Sequence, residues 1–269
     1  RRVRWVDAEG IARANLIDAT PIGANVRSTV ATYADIHDEL RRAFARTPEA
    51  KAAGYKAGAF SYNTGALRCP TCDGTGSISL DVQFLPDVEI VCPACRGSRY
   101  ADAASHVHRE GKDGSLLTLP QLMDMSVDEA LDATVGLKKV QARLQTLHDL
   151  GLGYLTLGEP TPALSGGEAQ RLKLASEMGR VQDDAVFVFD EPTIGLHPLD
   201  VQVLLSVFDG LIAKGATVIV IEHDLDLISN ADYVIDMGPG GGDAGGQVVC
   251  AGTPDDIAAC PKSITGRYL

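Results

Sequence analysis

Two stretches of the sequence carry residue types suited to binding phosphate and a metal ion. The first, Ser165–Glu168, joins a serine and two glycines to a glutamate three positions after the serine. This spacing predicts a capped helix start, whose backbone amides and positive dipole favour a phosphate group. The second stretch is the apolar run Val186–Phe189, followed by Asp190 and Glu191. Carboxylates at the end of a buried parallel strand can bind Mg²⁺ and activate water, so these two predict a metal-binding aspartate and a general base.

Two later segments extend this pattern in chain order. Gly195–Asp200 includes His197 and Asp200, and a second buried strand is predicted at Thr217–Ile221, directly before Glu222, His223 and Asp224. Each part alone has an ordinary structural explanation, because Ser-Gly-Gly-Glu opens many helices and many strands end in solvated carboxylates. Their order and spacing together make a chance occurrence unlikely.

A separate metal site is indicated by four cysteines in two C-x-x-C pairs, 19 residues apart: Cys69, Cys72, Cys92 and Cys95. Four thiolates at this spacing predict a closed tetrahedral zinc site with a structural role. The intervening Ser77–Ile90 alternates like a β-hairpin that turns at Leu85–Asp87. Disulfide or redox pairs are the alternative for these four residues. Cys250 and Cys260 are predicted to be ordinary, separate thiols.

The net charge of −12 is unevenly distributed, with +4 in residues 1–68, −5 in residues 69–180 and −11 in residues 181–269. This permits a phosphate-binding surface in the N-terminal part only, although a solvated basic helix face would explain the charge equally.

No apolar run approaches the ~20 residues of a membrane span, and the start does not resemble a signal peptide. We therefore expect a cytoplasmic protein. The missing initiator methionine predicts a piece of a longer chain.

Together the motifs resemble an ABC-type ATPase, and the cysteine pairs make the sequence similar to one family, UvrA, in its C-terminal ATPase half. The resemblance extends over nearly the whole chain, through segments such as Gly151–Tyr154 and Thr265–Leu269. It implies ATP-dependent recognition of damaged double-stranded DNA in nucleotide excision repair, as part of the excision nuclease system and the SOS response. A homodimer, a UvrB-like partner and the cofactors ATP, Mg²⁺ and structural Zn²⁺ are implied with it.

The resemblance also assigns roles to single residues. Glu191 would be the catalytic base and His223 the switch histidine. The residues that would bind the cofactor are Ser165, Gly166, Gly167, Glu168 and Asp190. The residues that would contact DNA are Arg27, Ser28, Tyr33 and Lys56. The loop between Cys72 and Cys92 would take part in damage discrimination.

The predicted fold is α/β: an ABC-type ATPase lobe with a mostly parallel sheet and flanking helices, a helical subdomain and an inserted four-cysteine zinc module. Residues 1–23 are assigned to the N-terminal part of the ATPase core, and 24–115 to an insertion with the zinc module at about 60–100. Residues 116–180 form the helical subdomain, and 181–269 complete the core. Helices are expected over Tyr33–Thr47, from Ser126 and over Lys138–Leu150.

The sequence departs from the family pattern in three respects: a missing motif, one substituted residue and two altered segments. No G-x-x-x-x-G-K-[ST] motif occurs, so this chain alone is expected to hydrolyse ATP negligibly. Ala19 stands where the family usually has a glutamine, and Gly23–Ser28 and Asn63–Arg68 also differ. These differences favour a divergent paralogue, one that serves drug self-resistance or a narrower class of lesions. The ATPase of a transporter is another alternative. A zinc-stapled interaction module is a third, because C-x-x-C-x-G-x-G also occurs in DnaJ-type chaperones.

Overall fold

The computed structural model of the chain describes residues 8–23, 25–80, 88–111, 114–178, 184–194, 196, 198–238, 240 and 245–269. These residues form an α/β fold with two compact units. The first unit is Arg1–Asp18 with Gln182–Leu269, and the second is Ala19–Val181. In the described part of the chain, no helix is long and apolar enough to cross a membrane.

The secondary structure alternates between short strands and helices. The strands are β1 (Arg13–Ile17), β2 (Ser77–Leu80), β3 (Val88–Val91), β4 (Arg109–Glu110), β5 (Leu116–Leu117), β6 (Ala185–Asp190), β7 (Thr217–Ile221), β8 (Val234–Gly238) and β9 (Gln247–Gly252). The helices are α1 (Val30–Tyr33), α2 (Ile36–Phe44), α3 (Pro48–Ala52), α4 (Leu119–Asp124), α5 (Val127–Ala133), α6 (Lys138–Asp149), α7 (Gly166–Met178), α8 (Pro198–Ile212), α9 (Leu225–Ser229) and α10 (Pro254–Ala258).

A parallel sheet in the order β1-β6-β7 forms the centre of the first unit. Phe187 and Phe189 lie on its buried face, where the Phe189 ring packs 4.7 Å from that of Phe208 in α8. On the other face Leu16 is 60% exposed and Ile219 is 49% exposed. The prediction that the strand at Thr217–Ile221 is buried is therefore wrong, because within this unit α8 packs on one face and alternate residues of β7 remain exposed.

The second unit is mainly helical, and local capping explains where its helices begin. Ser126 N–H donates to Glu129 Oε2 at 2.8 Å, and Glu129 N–H donates to Ser126 Oγ at 3.2 Å, which confirms the predicted capping box of α5.

The single helix predicted over Tyr33–Thr47 is wrong at its start. Asp35 adopts a left-handed backbone (φ 56°) and separates α1 from α2.

An antiparallel pair, β2 with β3, joins the two cysteine knuckles of the second unit. Its register pairs Ser77 with Val91 and Leu80 with Val88, as the alternating pattern predicts. The predicted turn at Leu85–Asp87 lies outside the described residues. The pairing brings the two ends of the segment together, and each end leads into one C-x-x-C pair.

The contrast between the two sheet faces predicts unequal effects of truncation. Phe187→Ala is expected to lower the free energy of unfolding of the first unit by about 3–5 kcal/mol, because it empties a fully buried site. Leu16→Ala should cost no more than about 0.5 kcal/mol, because its side chain is mostly exposed. Urea unfolding of the 269-residue chain, with hydrogen exchange at β6 to isolate this unit, measures both. Equal losses would contradict the one-sided packing of the sheet.

Candidate functional site

The ends of β6 and β7 bring together four polar residues, Asp190, Glu191, Glu222 and His223, here called the strand-end cluster. The parallel register pairs Asp190 with Ile221. Asp190 and Glu191 at the end of β6 therefore lie next to Glu222 and His223, which follow β7. Glu191 N–H donates to Ile221 O at 2.9 Å and extends this pairing by one residue. Glu191 itself has φ 47°, a left-handed conformation that costs a non-glycine residue about 1–3 kcal/mol and is concentrated at functional sites.

Glu222 is the residue that links the two strand ends. Its side chain is 3% exposed and accepts hydrogen bonds from Thr193 N–H (2.9 Å), from the Thr193 hydroxyl, and from the N–H groups of His223 (2.8 Å) and Asp224 (3.2 Å). Burial would raise the pKa of Glu222, but these hydrogen bonds outweigh it and hold the pKa below its usual value. The sequence pattern assigns no role to Glu222. The available signal was a carboxylate placed directly between an apolar strand and the predicted switch histidine.

The other members of the cluster are open to solvent. The His223 side chain is 82% exposed, and Asp190 and Glu191 are also exposed. A buried carboxylate therefore links the segments that follow β6 and β7, while the other three side chains of the cluster are exposed. His197 and the side chain of Asp200 lie outside the described residues, so their predicted contribution stays a prediction.

The Ser165–Glu168 loop of the second unit has the predicted capped geometry at the start of α7. Ser165 N–H donates to Glu168 Oε2 at 2.7 Å, and Glu168 N–H donates to Ser165 Oγ at 3.3 Å. The Tyr154 hydroxyl donates to the other carboxylate oxygen of Glu168 at 2.5 Å. Burial would raise the pKa of Glu168, but the hydrogen bonds from Tyr154 and Ser165 outweigh this effect and hold the pKa below its usual value. Ser165 and Gly166 are exposed and Gly167 is half-buried, so the loop can be reached by an anion.

The four cysteines of the two knuckles form one cluster: Cys69, Cys72, Cys92 and Cys95. All four sulfur atoms lie within 4.8 Å of one another, with Cys69 to Cys92 at 3.9 Å and Cys72 to Cys95 at 3.6 Å. Sulfurs bound at about 2.3 Å to a tetrahedral zinc ion are about 3.8 Å apart. The geometry of the cluster therefore fits a four-thiolate zinc site.

The two knuckles share one backbone shape, which places their sulfurs around a common point. Asp73 and Arg96, the residues after each pair, both have φ 52°, and a glycine with positive φ follows each. Gly76 N–H donates to the Cys72 sulfur at 3.3 Å. Burial raises the pKa of Cys72, but hydrogen bonds led by that of Gly76 lower it to about 7, whereas burial raises the pKa of Cys95 to about 12. Backbone amides thus favour a thiolate within the cluster, as a metal ligand requires.

The predicted DNA-contacting residue Arg27 is bound to the first knuckle. Its guanidinium donates to Asp73 O at 2.7 Å and to the Asp73 carboxylate at 3.1 Å, and Arg68 pairs with the same carboxylate at 2.9 Å. In the opposite direction, buried Arg99 donates to Val26 O at 3.0 Å. The 25–28 segment is therefore tied to the cysteine module by two arginines.

The remaining predicted DNA contacts are spread over neighbouring elements. Ser28 and Tyr33 are half-buried, the first in the turn before α1 and the second at its end. Lys56 is exposed after α3. Their role in DNA binding stays a prediction.

Comparison with known proteins identifies the family. No family model matches the chain. The chain is 49% identical over 254 residues to the UvrABC system protein A of Mycobacterium tuberculosis (strain CDC 1551 / Oshkosh), a match that covers 94% of the chain and 26% of the relative. It is 47% identical over 262 residues to the UvrABC system protein A of Aquifex aeolicus, covering 97% and 28%. The crystal structure of UvrA2 from Deinococcus radiodurans matches 98% of the chain and 32% of its own, with a TM-score of 0.89 and 42% identity. The chain belongs to the UvrA family.

This membership confirms the resemblance inferred from the motifs. The α/β fold matches the UvrA2 structure, and the four clustered cysteines are consistent with the predicted zinc module. The chain spans about a quarter of the length of the curated UvrA relatives. The four cysteines and the strand-end cluster both lie in this matched portion.

The hydrogen bonds of Glu222 predict a pH-dependent contribution to stability. Glu222→Gln is expected to lower the free energy of unfolding by roughly 1.5–3 kcal/mol at pH 7, because a neutral amide replaces the charged acceptor and its NH₂ group cannot accept from the donors that face one carboxylate oxygen. Since the folded-state pKa is depressed, this contribution is present above the ordinary value of 4.5 and is lost as pH falls through the folded value. Urea unfolding at several pH values measures the difference. Exposed Asp232→Asn in the same unit is the control, and a difference independent of pH would contradict the explanation.

The cysteine geometry predicts one zinc ion per chain. Cys72→Ser is expected to reduce bound zinc from about one equivalent to near zero and to lower the melting temperature, because the site loses one of four ligands. Elemental analysis of the purified chain measures the zinc content. Cys250→Ser is the matched control and should retain the metal, since that thiol lies outside the cluster. Full zinc retention by Cys72→Ser would contradict the assignment.

Proposed function

We propose that the chain is the C-terminal ATPase part of a UvrA-family protein that uses ATP in recognising damaged DNA during nucleotide excision repair. The observation that carries this proposal is the strand-end cluster, in which an exposed aspartate, glutamate and histidine lie at two parallel strand ends that a buried glutamate links through Thr193 and His223. In a chain 49% identical to a UvrABC system protein A, this arrangement supports ATP hydrolysis.

Each exposed residue of the strand-end cluster would have a separate role in ATP hydrolysis. Asp190 would hold Mg²⁺, which when bound neutralises charge on the β- and γ-phosphates. Glu191 would accept the proton of the attacking water, and its side chain is exposed at the end of β6. His223 would donate a hydrogen bond to the γ-phosphate. Glu222 would act as a positioning residue, because it holds the backbone of Thr193 and His223 on either side of the site.

The Ser165–Glu168 loop would serve a different nucleotide. In the ABC arrangement that the resemblance implies, Ser165, Gly166 and Gly167 would contact the γ-phosphate of an ATP bound by another domain. The capping box supports this role, because the Glu168 carboxylate occupies the Ser165 N–H and leaves the amides of Gly166 and Gly167 at the helix start. The Tyr154 hydroxyl holds the same carboxylate from its other side.

The cysteine module and its arginines would form the DNA side of the protein. The four cysteines would hold Zn²⁺ in a structural role, since all four positions of a tetrahedron are supplied by the chain. Arg27, Ser28, Tyr33 and Lys56 would contact the phosphates of double-stranded DNA, in the part of the sequence with a net charge of +4. A homodimer, a UvrB-like partner and a cytoplasmic location belong to the same proposal.

The proposal is tested with the full-length protein that contains this chain. Glu191→Gln is expected to lower kcat for ATP hydrolysis by about 10²–10⁴-fold while leaving ATP binding intact, because it removes the proton acceptor. Exposed Asp232→Asn is the control and should match the wild type. DNA binding is measured in parallel on duplexes with and without a bulky lesion, over a salt series and with ATP.

Tighter binding to the damaged duplex, dependent on nucleotide, is the expected result. Equal affinity for both duplexes would overturn the repair function and favour a paralogue with another ligand. Wild-type turnover by Glu191→Gln would overturn the assignment of the base. The two results are independent, so failure of one part does not hide the other.

A further inference from the structure

Two cysteines outside the zinc cluster meet in the first unit. The sequence predicts Cys250 and Cys260 to be separate thiols, but the fold brings them together. Cys250 lies in β9, where the register pairs it with Asp236 of β8. Cys260 follows α10, and its carbonyl accepts a hydrogen bond from Ser263 N–H at 3.1 Å. Ser263 Oγ donates to the Asp236 carboxylate at 2.6 Å, so Asp236 holds the segment carrying Cys260 against the sheet position of Cys250.

The surroundings of the two thiols make them unequal. The Cys250 and Cys260 side chains lie close enough to influence each other's protonation, and both are half-buried. Burial, followed by the Cys260 contact, raises the pKa of Cys250. The Cys250 hydrogen bond, followed by the backbone N–H of Lys262, lowers the pKa of Cys260, although the Asp236 carboxylate opposes this effect. Cys260 is therefore the more acidic thiol of the pair, and Cys250 is the less acidic one.

We propose that Cys250 and Cys260 form a redox-reactive pair that hydroperoxides convert into a disulfide. The Cys260 thiolate attacks one peroxide oxygen, the O–O bond breaks, and with one proton the products are a Cys260 sulfenic acid and water or an alcohol. The Cys250 sulfur then displaces the hydroxyl group from the Cys260 sulfur, forming the S–S bond and releasing a second water. The two thiols lose two electrons and the peroxide accepts them.

Accessibility and ligation separate this pair from the other four cysteines. The pair is half-buried, with one favoured thiolate beside a second thiol, which is the arrangement of a cysteine that reacts and a cysteine that resolves. The thiolates of the zinc cluster would be engaged by metal. Oxidation of the zinc-loaded chain should therefore begin at Cys260. The bond would join β9 to the residue that follows α10, and the proposal is independent of the ATPase and repair function.

The sequence around the pair allows the bond to be detected directly. Asp255 and Asp256 lie between the two cysteines, whereas no lysine or arginine occurs from Gly215 to Pro261. Trypsin thus leaves both cysteines in one peptide, and a protease that cleaves before aspartate separates them. The zinc-loaded chain is treated with hydrogen peroxide, alkylated and digested. The expected result is a tryptic peptide lighter by two hydrogens, and two aspartate-cleaved peptides joined until dithiothreitol is added.

Two single variants assign the roles, and their melting temperatures show that each is folded. Cys250→Ser should accumulate a Cys260 sulfenic acid, captured by dimedone, without a joined peptide. Cys260→Ser should leave Cys250 at least about tenfold slower to react at the same peroxide concentration. The proposal is overturned by the absence of the joined peptides in the wild type, by bonds to the zinc-cluster cysteines instead, or by equal reactivity of the two variants.

Discussion

The parallel register of β6 and β7 is the constraint on which the strand-end cluster depends. A slip of one residue would turn every side chain to the opposite face and separate the two pairs of polar residues. Glu222 converts this register into a fixed geometry, because its carboxylate accepts hydrogen bonds from the loop after β6 and from the turn after β7. Thr193 follows Glu191 by two residues, so holding Thr193 also restrains the strained backbone of Glu191. A buried side chain thereby determines where the exposed ones lie.

The four thiolates have the corresponding role in the second unit, where only a short two-stranded pair joins the knuckles. Left-handed turns after each C-x-x-C pair direct backbone amides toward sulfur, and a metal would compensate the charge that gathers there. Two arginines extend this local order outward: Arg27 reaches the carbonyl and carboxylate of Asp73, and Arg99 reaches the carbonyl of Val26. The position of the 25–28 segment is therefore coupled to the folding of the cysteine module.

Local patterns were sufficient to predict the parts of the molecule that depend on neighbouring residues. The apolar runs of β6 and β7, the capping box at Ser126 and the cysteine spacing all belong to this group. The break at Asp35 and the partial exposure of β7 were missed, because both depend on packing that periodicity does not describe. The Arg27 contact with Asp73 joins residues 46 positions apart, and no spacing rule indicates it. The geometry gives the positions of the site residues, but their proposed roles rest on family membership and on the chemistry of their side chains.

Ala19 shows how one substitution can act through packing as well as through chemistry. A Cβ atom added to Gly166 would lie 3.1 Å from the Ala19 Cβ and 3.2 Å from the Ala19 carbonyl oxygen, which is closer than most real contacts. Gly166 is therefore a glycine partly because the backbone at residue 19 approaches it, in addition to any need for an exposed amide. A larger residue at position 19 would share its space with the first turn of α7. The small side chain of Ala19 thus leaves room for the backbone at Gly166, in the loop that would face a phosphate.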